Sequence, residues 1–396
     1  MIETVKVALI SEWLDAWRGG AETSTLQFLH HLMDAGLEIH VFTRSRPSPT
    51  PGLHIHSISG AAMSRTRRSM TFARRVERRL KENSFDVVHA ITPCRYADIY
   101  QPRGGTVAET IERNIALRNH GLSQSFKRAS NRFNLKQRYS LALEKSLFNN
   151  PDGPTVVAIS DYVVRQLKQH YSLPDRRIRK IYNGTNCDPH NEQQRKMHYD
   201  KIRQQFGIKD HQLLVLLVAH NFKLKGVYRW MQTHAELIQR GVTNVRSLVI
   251  GKGDSPVWHR LVHRLNLQEH LTFTGPSDRI WEFYHAGDVL VHPSYYDPCS
   301  RVVLEAMTAG LPCIASPWDG ASEMMVHGDN GFILSDPGDI QMLANLIEQL
   351  QDRSVRRQIG DAARKIYDQI SMSRHATEMI TLYKDIVSQR TMAKAV

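Results

Sequence analysis

Two doubly wound, largely parallel α/β domains in tandem are the fold class this sequence predicts, on three observations. Apolar runs of strand length recur along the whole chain, helical periodicities alternate with them, and glycine-containing turns close several of the runs. A chain of 396 residues with 41% hydrophobic content is long enough for two such sheets, each with its own core. The turn-rich stretch Tyr182-Asn-Gly-Thr-Asn-Cys-Asp-Pro-His-Asn191 separates them. The domains are therefore expected at 1–188 and 189–370, with the last helix, about 371–396, packing back on the first.

The first strand is Val5-Lys-Val-Ala-Leu-Ile10; a loop closed by Gly19-Gly20 leads to a helix from Ala21 to Met33 that turns Leu26, Leu29 and Leu32 inward. Two glycines before a helix start let a ligand approach the backbone, as phosphates do in doubly wound folds; the same pair also suits a plain tight turn. Strands at Glu38 to Thr43 and Leu53 to Ile58 precede a basic helix from Ser64 to Lys81, whose Met70, Ala73, Val76 and Leu80 share a face. Strands at Asp86 to Ala90 and Ala97 to Tyr100 lead to a second pair, Gly104-Gly105. Helical periodicity then runs from Val107 to Leu147 and stops at Asn149-Asn-Pro-Asp-Gly-Pro154, beyond which Thr155 to Ser160 is a strand. In the second half the strands are Leu213 to Val218, Ser247 to Gly251, Leu271 to Gly275, Val289 to His292 and Cys313 to Ser316. The helices between them end near Arg240, Leu265, Ala286 and Ala309, and the tail from Ile340 is helical.

Composition narrows the function classes. No window approaches the roughly 18 to 20 apolar residues of a membrane span, and Met1 to Ile10 runs straight into a strand with Glu3 on the way, so neither a span nor a secretion signal is expected. Cys94, Cys187, Cys299 and Cys313 lack Cys-x-x-Cys spacing, which predicts no zinc ribbon or disulfide framework and fits a reducing cytoplasm. The formal net charge of +13 is uneven: residues 1–188 carry 28 Lys+Arg against 17 Asp+Glu, and residues 189–396 carry 24 against 22. Two amphipathic basic stretches, 64–81 and 127–138, own much of that excess. They read either as solvated helix faces or as a patch for anionic lipid, acidic substrate or nucleic acid. The chain has no Asp-x-Asp pair for a metal-held nucleotide sugar, no Gly-x-x-x-x-Gly-Lys loop and no Gly-x-Gly-x-x-Gly fingerprint, which argues against kinases, ATPases and nicotinamide dehydrogenases.

The most informative stretch is Tyr295-Tyr-Asp-Pro-Cys-Ser-Arg-Val-Val-Leu-Glu305-Ala-Met-Thr-Ala-Gly-Leu-Pro312, followed by Asp319-Gly-Ala-Ser-Glu323. It predicts a helix entered from an acidic turn, capped by Ser300, with Val302, Val303, Leu304, Ala306 and Met307 as its apolar face and Gly310 as its stop. Free N–H groups at that start would face Asp297 and offer a site for phosphate. The structural alternative is a buried helix with a solvated aspartate in front. Lys223 and Lys225 follow the first strand of the second half, and ligands of doubly wound sheets bind beyond the strand C-termini. Ammonium groups and backbone donors can then hold a diphosphate together, in a cleft expected between the two sheets, with no metal required.

These residues resemble the glycosyltransferases of family 4, retaining enzymes with two facing Rossmann-like domains of the GT-B type. The family's basic motif matches His220-Asn-Phe-Lys-Leu-Lys225-Gly226, its Glu-x₇-Glu motif matches Asp297 and Glu305, and its Glu-Ala-Met run matches Glu305-Ala-Met-Thr-Ala-Gly-Leu-Pro312. Gly19-Gly20-Ala-Glu22, Ala158-Ile-Ser160 and Tyr182-Asn-Gly184 agree in the first half, so the resemblance spans essentially the whole chain. Within the family, the short Lys-Gly loop, the Ala97-Asp-Ile-Tyr100 strand and the basic helical stretch are most similar to lipopolysaccharide core glucosyltransferases.

The resemblance implies a first domain that binds the acceptor and a second that binds a nucleotide diphosphate sugar, a UDP-sugar foremost, with no metal or other cofactor. Glu305 would bind the ribose, Asp297 would read hydroxyls of the donor sugar, and the backbone from Cys299 through Ser300 and Arg301 to Val302 would hold phosphate, with Gly251 and Gly275 completing the donor set. Lys225 and Lys223 would offset charge on the leaving diphosphate. Gly19, Gly20 and Glu22 would meet phosphates or the acceptor. Two departures stand out. Asp297 replaces the usual glutamate and is one methylene shorter, and Arg103 stands where many relatives have a histidine; it is either an anion holder in the site or a surface arginine beside a glycine turn. His89 and His292 read as strand-end residues. The partners implied are a nucleotide sugar, a glycan or glycolipid acceptor and an anionic membrane surface, with no nucleic acid. A phosphorylase or sugar-nucleotide epimerase of the same fold, and a non-catalytic basic protein that binds membrane or nucleic acid, are the other readings.

Overall fold

The computed structural model describes residues 4–15, 20–47, 50–58, 64–118, 121–131, 133–186 and 189–395. The chain divides into two compact units, Met1–Gly184 with Met372–Val396, and Thr185–Ser371. The division falls a few residues ahead of the 188 expected from the turn cluster.

In the first unit β1 (Lys6–Ile10), α1 (Gly20–Asp34), β2 (Glu38–Thr43) and β3 (Leu53–Ser57) are followed by α2 (Arg65–Lys81), β4 (Val87–Ala90) and β5 (Ile99–Tyr100). Three helices come next, α3 (Val107–Ala116), α4 (Gly121–Asn131) and α5 (Leu135–Asn149), and then β6 (Thr155–Ala158), α6 (Asp161–Tyr171) and β7 (Ile178–Lys180). The strands form one sheet in the order β3-β2-β1-β4-β5-β6-β7, with every pairing parallel. Helices cover such a sheet on both faces, which is why the strands read as unbroken apolar runs; Val7 to Ile10 are all buried.

The single periodicity expected from Val107 to Leu147 is three helices. Asn134 starts α5 by accepting a hydrogen bond from the Gln137 N–H (3.1 Å), and α3 ends at Ala116, where the Leu117 N–H donates to the Arg113 carbonyl at 3.1 Å; the apolar spacing carries on across both breaks and hides them. The basic helix α2 begins at its expected cap, where Ser64 Oγ accepts from the Arg67 N–H at 3.2 Å.

The second unit contains α7 (Glu192–Gln205), β8 (Leu213–Val218), α8 (Val227–Gln239), β9 (Val245–Ile250), α9 (Pro256–Arg264), β10 (Leu271–Gly275), α10 (Ile280–Ala286) and β11 (Val289–His292). It continues with α11 (Arg301–Ala309), β12 (Cys313–Ala315), β13 (Phe332–Ile333), α12 (Ile340–Gln349), α13 (Arg353–Arg364) and α14 (Tyr367–Ile370). Its parallel sheet has the order β10-β9-β8-β11-β12-β13. Trp230 fills the centre of that core, fully buried with its indole N–H on Ser247 Oγ at 3.0 Å. A large apolar side chain buried in this way contributes about 1.5–3 kcal/mol.

The chain then returns to the first unit as α15 (Met372–Ala395), whose Met372, Ala376, Met379, Leu382 and Tyr383 join Phe28, Leu29 and Leu32 of α1 in one core. No helix among the described residues is long and apolar enough to cross a membrane.

Candidate functional site

In the second sheet β8, β9 and β10 build outward on one side and β11, β12 and β13 on the other, so β8 and β11 are the neighbours between which the winding reverses. Loops leaving such a pair diverge and open a crevice at the strand C-termini. The loop after β8 carries Lys223 and Lys225, and the loop after β11 carries Asp297. Gly226 lets the two loops touch. It sits at φ +72°, and a Cβ there would lie 2.1 Å from the Pro293 carbonyl oxygen. The Tyr295 N–H donates to the Leu224 carbonyl at 2.8 Å and sets the register. Lys225 is thereby aimed along the β11 loop, where its ammonium donates to the Tyr296 carbonyl at 3.1 Å and to the Asp297 carboxylate. Lys223, on the same loop, is exposed.

Asp297 is tied to the loop after β12. Its N–H donates to the Trp318 carbonyl at 2.8 Å, and its carbonyl accepts from the Gly320 N–H at 3.0 Å. This brings Asp319 beside it, fully buried, with Oδ1 accepting from the N–H groups of Ser300 and Ala321, both at 2.9 Å. The imidazole of His292, at the end of β11, places Nε2 3.6 Å from Oδ2 of Asp297 and 3.6 Å from Oδ2 of Asp319, too long for hydrogen bonds. Asp319 Oδ2 and both His292 ring nitrogens are buried without a hydrogen-bond partner among the described residues. Unsatisfied polar atoms grouped in this way are uncommon in a core and mark a place arranged for something other than packing.

The charges are unequal. Burial alone lifts the Asp297 carboxyl, but the Lys225 ammonium and His292 together outweigh it and hold the group below its ordinary value. Burial, reinforced by the negative charge of Asp297, pushes Asp319 above the ordinary carboxylate range. Burial also holds His292 below its ordinary value, with Lys225 opposing its protonation and Asp297 favouring it. One carboxylate is therefore kept ionised, and its neighbour is kept as an acid. These three groups place a ligand atom each within 4.8 Å of one another, the spacing of a metal site, but the cation already seated on Asp297 is Lys225.

Glu305 lies on α11, next to the loop that carries Asp297. Its carboxylate accepts from Arg301 Nη2 at 2.5 Å, one helical turn back, and from the Tyr284 hydroxyl of α10 at 3.1 Å. Burial and then Glu305 itself push the Tyr284 phenol up, so the hydroxyl stays a donor.

The helix start corrects one expectation. Ser300 occupies the cap position without a side-chain cap bond, and the N–H groups expected to be free are engaged at two positions: Cys299 donates to Asp297 Oδ1 at 3.3 Å and Ser300 to Asp319 Oδ1 at 2.9 Å. Acids from two loops occupy donors that local capping rules leave open. Gly251 and Gly275 lie on the other side of β8, at the ends of β9 and β10, joined by Gly251 N–H to the Gly275 carbonyl at 2.9 Å. Gly251 has φ +137°, and a Cβ there would lie 1.7 Å from the Ala219 carbonyl oxygen, so a bare backbone is required for β8 and β9 to end together.

In the first unit Gly20 opens α1 and Glu22 stands in its first turn, while Gly19 and Cys187 lie outside the described residues. Arg103 is not a surface residue. It is 8% exposed, with Nη1 donating to Thr25 Oγ1 at 3.0 Å and Ser24 Oγ at 3.3 Å, Nε donating to Gln101 Oε1 at 3.1 Å, and its guanidinium 5.3 Å from the Phe28 ring centre. It fastens the end of β5 to α1. His89 is a buried strand-end residue bonded through Nδ1 to the Tyr383 hydroxyl at 2.7 Å. Cys94, Cys299 and Cys313 are buried free thiols.

Of the residues that the sequence alone put in the site, Lys223, Lys225, Gly251, Gly275, Asp297, Cys299, Ser300, Arg301, Val302 and Glu305 belong to the second unit, and Gly20, Glu22 and Arg103 to the first. Tyr284 was missed as a site residue, Asp319 was noted only as an acid in the following motif, and His292 was set aside. The available signal was position: His292 ends a strand at the switch point, and Asp319 follows the next strand by a few residues.

Comparison with known proteins adds the following. A family model described as glycosyl transferases group 1 matches residues 198–366, and one described as glycosyltransferase family 4 matches residues 18–189. The lipopolysaccharide glucosyltransferase WaaG of Escherichia coli K12 is 22% identical over 368 residues, covering 92% of this chain and 95% of that protein. A crystal structure of WaaG superimposes with a TM-score of 0.80 at 21% identity, covering 95% of this chain and 99% of that one. Anabaena HepE, solved in complex with UDP-glucose, superimposes with a TM-score of 0.68 at 19% identity over 98% of this chain and 99% of that one. At these identities the structural likeness bears on the fold.

Proposed function

We propose that this chain, which belongs to glycosyltransferase family 4 and has its two-domain GT-B fold, moves a hexose from a UDP-sugar to a glycan or glycolipid acceptor of the cell envelope with retention of anomeric configuration. The observation that carries the reading is the Lys225–Asp297 ion pair at the β8/β11 switch point, with Glu305 on the helix that follows. UDP-glucose is the first donor to try, since HepE was solved with it, and lipopolysaccharide synthesis is the first pathway, since WaaG acts there.

Glu305, held in place by Arg301 and Tyr284, takes the ribose hydroxyls. The Lys225 ammonium faces the diphosphate while paired with Asp297, which, kept ionised, accepts from a sugar hydroxyl. The acceptor hydroxyl attacks the anomeric carbon on the face the phosphate leaves, the sugar–phosphate bond breaks, and the proton passes to the departing phosphate oxygen. Lys225 and Lys223 offset the charge that builds there. With a lysine ammonium on Asp297, the phosphates have a cation without a metal ion. The acceptor falls to the first unit, and the exposed Phe126, Phe133 and Leu135 among Lys127, Arg128, Lys136 and Arg138 suit peripheral attachment at the inner face of an anionic membrane.

Calorimetric titration with UDP and UDP-glucose, with UDP release measured across glycolipid acceptors, tests this. Glu305→Ala is expected to weaken UDP binding by about 10- to 100-fold, the worth of hydrogen bonds to a charged group, without loss of the fold. Unchanged UDP affinity in that variant sinks the ribose role. An absence of both nucleotide binding and turnover in the parent protein sinks the proposal.

A further inference from the structure

Four clusters among the described residues place three ligand atoms of histidine or carboxylate side chains within 4.8 Å of one another. His292, Asp297 and Asp319 belong to the candidate site. In the second, Glu38 is engaged by Lys6 at 3.4 Å and by His40, and His40 by His56 at 2.8 Å, so an ammonium already stands where a cation would. In the third, Glu109 is held by Arg113 at 2.6 Å, by His170 at 2.7 Å and by the Tyr162 hydroxyl at 2.8 Å. The fourth differs in kind: His190, His198 and His285, three imidazoles with no carboxylate among the three.

His198 is on α7, His285 is on α10 against which α7 packs, and His190 lies just ahead of α7. The ring centres are 4.7 Å apart for His190 and His198, 5.1 Å for His190 and His285, and 5.2 Å for His198 and His285. Nδ1 of His198 is 2.9 Å from Nδ1 of His285, so one ring donates its N–H to the lone pair of the other. A capping box fixes the approach of His190: Asn191 Oδ1 accepts from the Gln194 N–H at 2.9 Å, Gln194 Oε1 accepts from the Asn191 N–H at 3.0 Å, and Arg195 Nε donates to the His190 carbonyl at 3.1 Å. The nearby carboxylate, Glu282, is taken up by Lys201 at 2.9 Å and Arg279 at 3.6 Å.

We propose that His190, His198 and His285 form a binding site for one zinc-class divalent ion, with a fourth position open to water. Zinc takes imidazole nitrogens at about 2.0–2.1 Å in a tetrahedron, which sets them about 3.4 Å apart. The three ligand atoms lie within 4.8 Å of one another, and two of them 2.9 Å apart. On coordination the ring that donates its Nδ1 proton carries it on Nε2 instead, so all three rings bind as neutral ligands. An all-nitrogen donor set selects zinc, cobalt, nickel or copper over magnesium and calcium. The bound ion ties the chain just past the Gly184–Thr185 junction to α10, the helix whose adjacent Tyr284 holds Glu305.

The test is titration of the chelator-dialysed full chain with zinc chloride by calorimetry and with cobalt chloride by visible absorption. One ion per chain, a tetrahedral cobalt spectrum and a dissociation constant of about 10 µM or lower are expected, with a zinc-dependent rise in melting temperature. His190→Asn and His285→Asn, both half-buried positions that avoid the buried His198, should each weaken binding by at least about tenfold. His40→Asn, in the second cluster, should leave it unchanged. Absence of binding in the parent chain overturns the proposal, as does binding that survives both substitutions or that is lost with His40→Asn.

Discussion

At the carboxyl edge of the second sheet one carboxylate holds an ammonium and a buried imidazole stands between it and a second carboxylate; at the same edge of the first sheet a buried guanidinium sits among hydroxyls, an amide and two imidazoles. The strand orders match around both reversal points, β3-β2-β1-β4-β5 and β10-β9-β8-β11-β12, so the difference comes from loop residues and not from topology. Around Lys225 the acids are driven apart, one ionised and one protonated. Around Arg103 burial and the guanidinium hold both His89 and His375 below their ordinary values, His375 at about 3. Charge in the second unit is arranged to meet charge. In the first unit a cation is surrounded by neutral groups that fix its position.

The comparison breaks most visibly at Lys225. Lys225→Ala leaves Asp297 beside Asp319 and His292 without the ammonium, and the carboxyl should move back up toward, or past, its ordinary value. In steady-state assays we expect kcat to fall about 10²- to 10³-fold, the scale for losing one preorganised charge or donor at a leaving group. A fall of less than about tenfold would show that the pair is structural.

Acid and base separate the two edges next. His375 has its folded value depressed from 6.5 to about 3, because burial and Arg103 oppose protonation. Its contribution to stability is complete above 6.5 and is lost as pH falls from there toward 3, at up to about 1.4 kcal/mol per pH unit. Asp319 has the opposite sign. Its raised value contributes stability that is complete below the ordinary carboxylate range and declines as pH rises until the group ionises. Hydrogen exchange measured from pH 4 to 9 should show α1 and α15 loosening on the acid side, with a loss near 3 kcal/mol by pH 4. Asp319→Asn should flatten the alkaline decline in the loops after β11 and β12 and leave the first unit unchanged. The same alkaline profile in the variant would refute the assignment.

Arg103 ranks third. Arg103→Met keeps the stem over Phe28 and removes the donors to Ser24, Thr25 and Gln101, so local stability of α1 should drop by about 2 kcal/mol. Nuclear magnetic resonance titration of His375 should then show its value rising, because a cation that opposed protonation is gone. UDP affinity should not change. A parallel loss of UDP binding would show that the two edges are not independent.

Much of this was legible in the sequence, for a local reason. Strands buried on both faces spell continuous apolar runs, so nearly every strand of the second sheet was found, and the spacing of Lys225, Asp297 and Glu305 survives because Lys225 and Asp297 lie on loops that follow strand ends and Glu305 on the helix α11 that the second of those loops enters. β13, with two residues, was too short to signal itself. The missed site residues belong to contacts between elements. Tyr284 joins the site only because α11 brings Glu305 to its hydroxyl, and Asp319, in sequence an acid of the following motif, because the β11 loop places Ser300 against it. Gln101-Pro-Arg-Gly-Gly105 looks like an exposed turn, and only α1, nearly 80 residues earlier, buries Arg103. Turn chemistry is local, whereas burial is decided by what packs on the turn.

Lys223 gives the smallest effect and the finest test of the comparison. It shares the β8 loop with Lys225, two residues away, yet it is exposed while Lys225 is held against Asp297 by the register of Gly226 and Tyr295. An exposed ammonium acts on a diphosphate through solvent, where one charge is worth at most about 1 kcal/mol and is screened within about 8–10 Å at ordinary ionic strength. Lys223→Ala should therefore lower kcat/KM by no more than about fivefold at low salt, and the difference should shrink as potassium chloride is raised. The Lys225→Ala deficit, made by a charge already desolvated, should persist across the same salt series. If both deficits fade together, the two lysines act through the same solvent-screened field, and the buried pairing of Lys225 contributes nothing beyond proximity.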